Sequence, residues 1–190
     1  MIIESKPKES APEGTHTGRL YSIVDLGTQR NEFEGEVKIA HRIRLDWELS
    51  EEKMADGRPF SVGKEYTAST HTKSTLAQMI KGWKGIDISK IGRFDIDTLL
   101  GEPCNITVIH NDKGYANIAT IAPLKKSEIA PGLINPLRKF CIAEYKATEY
   151  SVVPEFLKEK IRLSPEYQLL ISGQKDAPVA PDELDDGIPF

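Results

Sequence analysis

The sequence predicts a mainly β protein: a five-stranded OB-type barrel with a helix between strands 3 and 4, a C-terminal extension and a disordered acidic tail. Three observations carry that prediction. Glu36 to Leu49 alternates apolar and polar residues one by one. Leu76, Met79, Ile80 and Trp83 recur at helical spacing after three strand candidates. Two β-branched runs then flank a turn at Asn111–Gly114. Three strands, a helix and two more strands is the element order of that barrel.

Each element follows from local pattern. Residues 1–13 are polar, with Pro7 and Pro12, and are expected to be flexible. Gly14 to Leu26 is the first strand, with Leu20, Val24 and Leu26 sharing a face, and Gly27 to Gly35 is a polar turn. In the second strand Val37, Ile39, His41, Ile43, Leu45, Trp47 and Leu49 form the buried row. Lys38, Arg42, Arg44, Asp46 and Glu48 lie on the opposite, charged row. His41 fits a structural role in its row, and Trp47 a core role. Pro59 to Ser69 is the third strand, through Val62, Tyr66 and Ala68. The helix spans Lys73 to Gly85, glycine being a natural stop. Phe94 to Leu100 is a short helix or turn, and Asp95 and Asp97 suit its start. Pro103 to His110 and Tyr115 to Ile121 are the last two strands, completing an OB domain over 14–124. Residues 125–170 form an extension with a short helix through Phe156, Leu157 and Ile161, packed on the barrel or on a partner. Residues 171–190 are the acidic tail.

The charge is unevenly distributed. The chain carries 25 Lys+Arg and 29 Asp+Glu, a net of -4. The last twenty residues hold five acids and one base, so the other 170 are balanced. A like-charged terminal block reads as an interaction tail. No apolar run approaches the ~20 residues of a membrane span. The N-terminal residues lack the apolar stretch of a signal peptide, and the two cysteines stand apart, so a cytoplasmic setting is expected. Walker A, G-x-S-x-G and H-E-x-x-H motifs are missing, and the four histidines show no zinc-ligand spacing. No enzyme, metal or cofactor is expected.

Nucleic-acid chemistry has candidates. Phosphates call for a positive track and bases for aromatic platforms. Lys38, Arg42 and Arg44 line one ridge, and Arg19 and Tyr21 share a face of the first strand. Tyr66, His71 and Lys73 follow the third strand, Lys81, Trp83 and Lys84 end the helix, and Tyr115 opens the fifth strand. Each has a plainer alternative: a solvated face for the cations, a core position for Trp83, either for Tyr66 and Tyr115. In the tail, acids precede an Ile-Pro-Phe end, which suits an anchor entering an apolar pocket with a basic rim.

These residues carry a resemblance. Asp185-Asp-Gly-Ile-Pro-Phe190 resembles the acidic tip of bacterial single-stranded DNA-binding proteins, with Gly187 where a third acid is usual. Tyr66-Thr-Ala-Ser, Lys73-Ser-x-Leu76, Trp83-x-Gly85 and the Asn111–Gly114 hairpin resemble bacteriophage-encoded single-stranded DNA-binding proteins with one OB fold. The resemblance covers about 14–124 plus the tail. It implies sequence-tolerant binding of single-stranded DNA in replication, recombination or repair. It also implies that Asp185, Asp186, Ile188, Pro189 and Phe190 recruit replication or recombination proteins. A monomer or dimer is expected. Two other readings stay open: an OB-type interaction module, such as a replisome adaptor or recombination mediator, with little DNA binding, and an enzyme, such as a nuclease or a strand-annealing factor with catalytic partners.

Overall fold

The computed structural model describes residues 9–33 and 35–173. It contains β1 Gly14–Phe33, β2 Glu36–Lys53, β3 Pro59–Thr67, α1 Thr75–Lys84, β4 Pro103–His110, β5 Ala116–Ala122, β6 Arg138–Phe140, α2 Ala147–Ser151, α3 Glu155–Leu163 and α4 Pro165–Ser172. Two short 3-10 turns, Ile88–Lys90 and Ile96–Leu99, lie between α1 and β4. The fold is mainly β. Five strands run antiparallel in the order β3-β2-β1-β4-β5, and β6 adds a parallel pairing to β1. The expected element order is present, but the sheet stays open: among the described residues β3 and β5 share no hydrogen-bonded ladder. Instead α1 packs against both edges. Met79 and Gln78 of the helix, Lys64 and Tyr66 of β3, and Ile118 to Ile121 of β5 line a groove of about 260 Å³ at the seam.

β1 is longer and less regular than expected. It runs on to Phe33, so most of the predicted turn at Gly27–Gly35 is strand. Its pairing with β2 slips between Leu20 and Ser22 and again between Asp25 and Gly27. Each slip inserts a residue and turns the strand over. Leu20 and Ile23 therefore face the core beneath α1, while Val24 and Leu26 face a second core on the other side. The expected shared face of Leu20, Val24 and Leu26 is split by the first bulge. At the second, Gly27 takes φ 69°, and a Cβ there would collide with Ser164.

The main core joins Leu20, Leu45, Trp47, Leu49, Ile80, Trp83 and Ile106. α1 starts where Ser74 accepts a hydrogen bond from Ala77 N and ends on left-handed Gly85, as its sequence predicts. Trp47 and Trp83 meet edge to face at 6.3 Å, and Trp83 Nε1 donates to Pro103 O. Asp95 accepts from Asp97 N at the second 3-10 turn, the capping role expected of it. Residues 9–13, expected to be flexible, are tied down instead. Ala11 is buried and its carbonyl accepts from His110 Nε2, while Glu13 accepts from His110 N.

The extension is the larger departure. Phe140, Ile142, Val153, Leu157 and Ile161 close over Val24 and Leu26 as the second core. Leu157 and Ile161 are buried as expected. Phe156 is not: it lies on the outside of α3, with the Arg44 guanidinium 5.9 Å from its ring centre. α4 continues to Ser172, past the expected start of the tail at 171. Residues 174–190 lie outside the described residues.

Truncating either core tests this arrangement. Leu157→Ala should cost about 2–5 kcal/mol and Trp83→Ala about 3–5 kcal/mol in denaturant unfolding. Both should act on a single cooperative transition. A Leu157→Ala protein unfolding at the wild-type midpoint would show that the second core carries no stability.

Candidate nucleic-acid interface

The predicted ridge exists on β2 but is not an open track. Arg44 Nε binds Asp46 at 2.8 Å, and Arg42 binds the Thr67 hydroxyl at 2.8 Å. Glu48, on the same row, is 0% exposed. Its carboxylate accepts from Ile134 N at 2.7 Å, Asn135 N at 2.6 Å and the Ser50 hydroxyl at 2.9 Å. The charged face predicted to meet solvent is thus partly roofed by the extension. Asp46 is buried as well, and burial pushes its carboxyl above the usual range against the pull of Arg44. Gly63, opposite Asp46 on β3, makes the pair possible. A Cβ there would occupy the space of the Asp46 carboxylate and the Arg44 guanidinium. Lys38, further out, remains half-buried with no ion pair among the described residues.

Arg19 and Tyr21 do not form a shared binding face. Arg19 donates to Pro131 O at 2.5 Å and Gly101 O at 2.6 Å, holding two loops against β1. Tyr21 sits at the first bulge and is buried, with the Arg138 guanidinium 5.8 Å from its ring centre.

Two of the expected stacking rings are core residues. Tyr66 and Trp83 are each 2% exposed, so neither presents a face to a base. Burial pushes the Tyr66 hydroxyl far up. Tyr115 differs: it stands 53% exposed beside the β4–β5 turn. Asn111 organises that turn, its side-chain oxygen accepting from Lys113 N and Tyr115 N, while Gly114 supplies φ 75°. His71 and Lys73 are exposed before α1, where His71 Nδ1 accepts from Lys73 N. Lys81 and Lys84 are engaged at the helix end, with Asp87 at 3.0 Å and Glu102 at 2.6 Å. The exposed candidates therefore gather at the β4–β5 tip, the start of α1 and the outer part of β2, rather than along one ridge.

Three features escaped the sequence reading. The first is a two-stranded arm, residues 28–33 paired with 36–41, beyond the main core. Its Val37 and Ile39, expected to be buried, are 42% and 45% exposed. The strict alternation of β2 gave no sign of where its partner layer stops. The second is a ring cluster in the extension: Tyr150 stacks on Tyr167 at 5.5 Å, with Tyr145 and Phe140 alongside. Lys158 lies 5.4 Å over Tyr150. These residues are scattered over 140–167, and no local motif gathers them.

The third is a clamp at the base of the arm. His41 Nε2 lies 2.8 Å from Asp25, and its Nδ1 lies 3.5 Å from Glu166 of α4. Glu166 also accepts from the Thr28 amide at 2.9 Å and from its hydroxyl. The hydrogen bond to Asp25 raises the His41 pKa, outweighing burial. For Asp25 and Glu166 burial pushes upward, but the hydrogen bonds win and both carboxyls are held low. His41 thus fills the structural role expected of it, as a bridge between two carboxylates.

The clamp gives a signed pH dependence. A raised histidine pKa adds stability in full below its ordinary value of 6.5, lost as the pH rises through the raised value. The lowered carboxyls add stability above their ordinary values, lost as the pH falls through the lowered ones. His41→Gln should therefore remove stability at mildly acidic pH and little at alkaline pH. Equal loss at both, measured by denaturant midpoint, would contradict the bridge.

No helix among the described residues is long and apolar enough to cross a membrane. No family model, curated protein or solved structure matches the chain.

Proposed function

We propose that this chain binds single-stranded DNA with little sequence preference, as a non-enzymatic OB-type protein acting in phage DNA replication, recombination or repair in the cytoplasm of a bacterial host. The observation that carries the reading is the strand path. Order β3-β2-β1-β4-β5 with α1 between β3 and β4 is an OB barrel's path opened at the seam between β3 and β5. In that fold the β1–β2 and β4–β5 loops, with the face of strands 2 and 3, hold the oligonucleotide. Here the β1–β2 connection is the arm carrying Lys38, and the β4–β5 tip carries Lys113 and exposed Tyr115. Those residues, with His71 and Lys73, are the favoured contacts. Arg42 and Arg44 are secondary, because the Thr67 hydroxyl and the Asp46 carboxylate already hold their guanidinium groups. Asp185, Asp186, Ile188, Pro189 and Phe190 lie outside the described residues. Their Asp-Asp-x-Ile-Pro-Phe pattern supports recruitment of replication or recombination proteins.

The covered face of β2 favours a second reading. With Glu48 locked under residues 134–135 and Arg44 paired to Asp46, the OB-type body would serve as a protein-interaction module that binds DNA poorly.

A titration separates the two. Fluorescence anisotropy with oligo-dT, duplex and RNA side by side should show single-strand binding that weakens steeply with salt. Tyr115→Ala should lose about 1–3 kcal/mol if the ring stacks on a base. Lys38→Ala should weaken binding and reduce the salt slope by about one phosphate contact. Undetectable binding of oligo-dT at low salt would leave only the interaction-module reading.

A further inference from the structure

The arm leaves one edge of β1 open. β4 pairs with this strand only over Gly14–Arg19 and β6 only over Ser22–Val24. Beyond that, the edge away from β2 has no partner strand among the described residues. The Thr28 amide points outward from this edge, since it donates to Glu166 rather than to β2. Backbone direction alternates along a strand, so the amides and carbonyls of Arg30 and Glu32 point outward too. Both residues are exposed. Cross-strand pairing puts Arg30 opposite Ile39 and Glu32 opposite Val37, so all four side chains share one face.

We propose that this edge pairs with the same edge of a second copy of the chain, antiparallel about a two-fold axis at Asn31. That register exchanges backbone hydrogen bonds between Arg30 and Glu32 of the two copies. It also sets each Arg30 side chain directly across from the other copy's Glu32. The edge is therefore self-complementary in charge as well as in hydrogen bonding, as a two-fold contact requires. Across the joined ribbon the rows read Ile39, Arg30, Glu32, Val37, with apolar residues on both flanks of each ion pair. The contact answers two problems at once. An isolated two-stranded ribbon is marginal in water, and an open edge with exposed apolar neighbours invites pairing.

The outer edge of β2 is a poorer candidate. Pairing its outward positions Val37 and Ile39 about a two-fold axis at Lys38 would set the two Lys38 side chains against each other. Moving that axis to Ile39 would require the His41 carbonyl, which already accepts from Ala68 N. On β1, Glu166 occupies the Thr28 amide and limits the overlap to a short stretch around Asn31. The result is a small, salt-sensitive dimer formed at high protein concentration.

Sedimentation velocity of the full chain over a wide concentration range, without nucleic acid, tests this. The wild type should show reversible dimerisation that weakens with salt. Arg30→Glu and Glu32→Arg should each raise the dimer dissociation constant ~10-fold or more, because each places like charges across both symmetric pairs. The double variant Arg30→Glu/Glu32→Arg should recover wild-type association. These residues are exposed and lie outside both cores, so circular dichroism should be unchanged throughout. A wild type that stays monomeric at the highest concentration would overturn the proposal. So would single variants that dimerise as the wild type does, or a double variant that fails to recover.

Discussion

The bulge between Leu20 and Ser22 decides the architecture. A regular strand presents one set of alternating side chains to one layer. With an extra residue inserted, β1 sends Leu20 and Ile23 to the core beneath α1, then Val24 and Leu26 to the opposite side. One strand thereby anchors two cores. The second exists only because residues 138–161 return to cover Val24 and Leu26, with β6 pairing beside β1 at Ser22–Val24. The second bulge, at Asp25–Gly27, then aims the Asp25 carboxylate at His41, Gly27 N and Ile142 N.

Burying that face of the sheet sets an electrostatic condition. A carboxylate taken out of water needs hydrogen bonds or a paired charge. Glu48 obtains two backbone amides and a hydroxyl, and Asp46 obtains Arg44 across the space that Gly63 leaves empty. Polar residues here attach the extension rather than solubilise the sheet. A charge-balanced body follows naturally, since many of its bases are already committed: Arg19 to two carbonyls, Arg44 to Asp46, Lys84 to Glu102, Lys160 to Glu65. Lys73 at the start of α1 and Lys113 at the β4–β5 tip are exposed and have no ion pair among the described residues.

Much of this was legible in the sequence where the signal is local. The Ser74 cap and Gly85 stop bound α1, the Asn111–Gly114 turn sets the β4–β5 hairpin, and the alternation of Ile43 to Leu49 marks a buried row. What was not legible depends on a second layer. Alternation places Arg44 and Glu48 on one face, but says nothing about whether water or residues 134–156 lies above it. It likewise extends the apolar row to Val37 and Ile39, where no core remains to receive them. Bulges carry no reliable local signature, so the predicted strand ended at Leu26, near the second one. Among the candidate site residues, exposure separated Tyr115 from Tyr66, which sequence alone left even, and put Trp83 in the core position its helix favoured.

The central claim is that residues 131–172 are part of the fold, held by Glu48, Asp25 and the second core, and not a loosely attached appendage. Native-state hydrogen exchange at Ile134 N, Asn135 N and Ile142 N tests it most directly, since these amides donate to the two carboxylates. The account predicts that they exchange as slowly as the β1–β4 ladder amides, through global unfolding alone. Exchange orders of magnitude faster, with that ladder still protected, would contradict it.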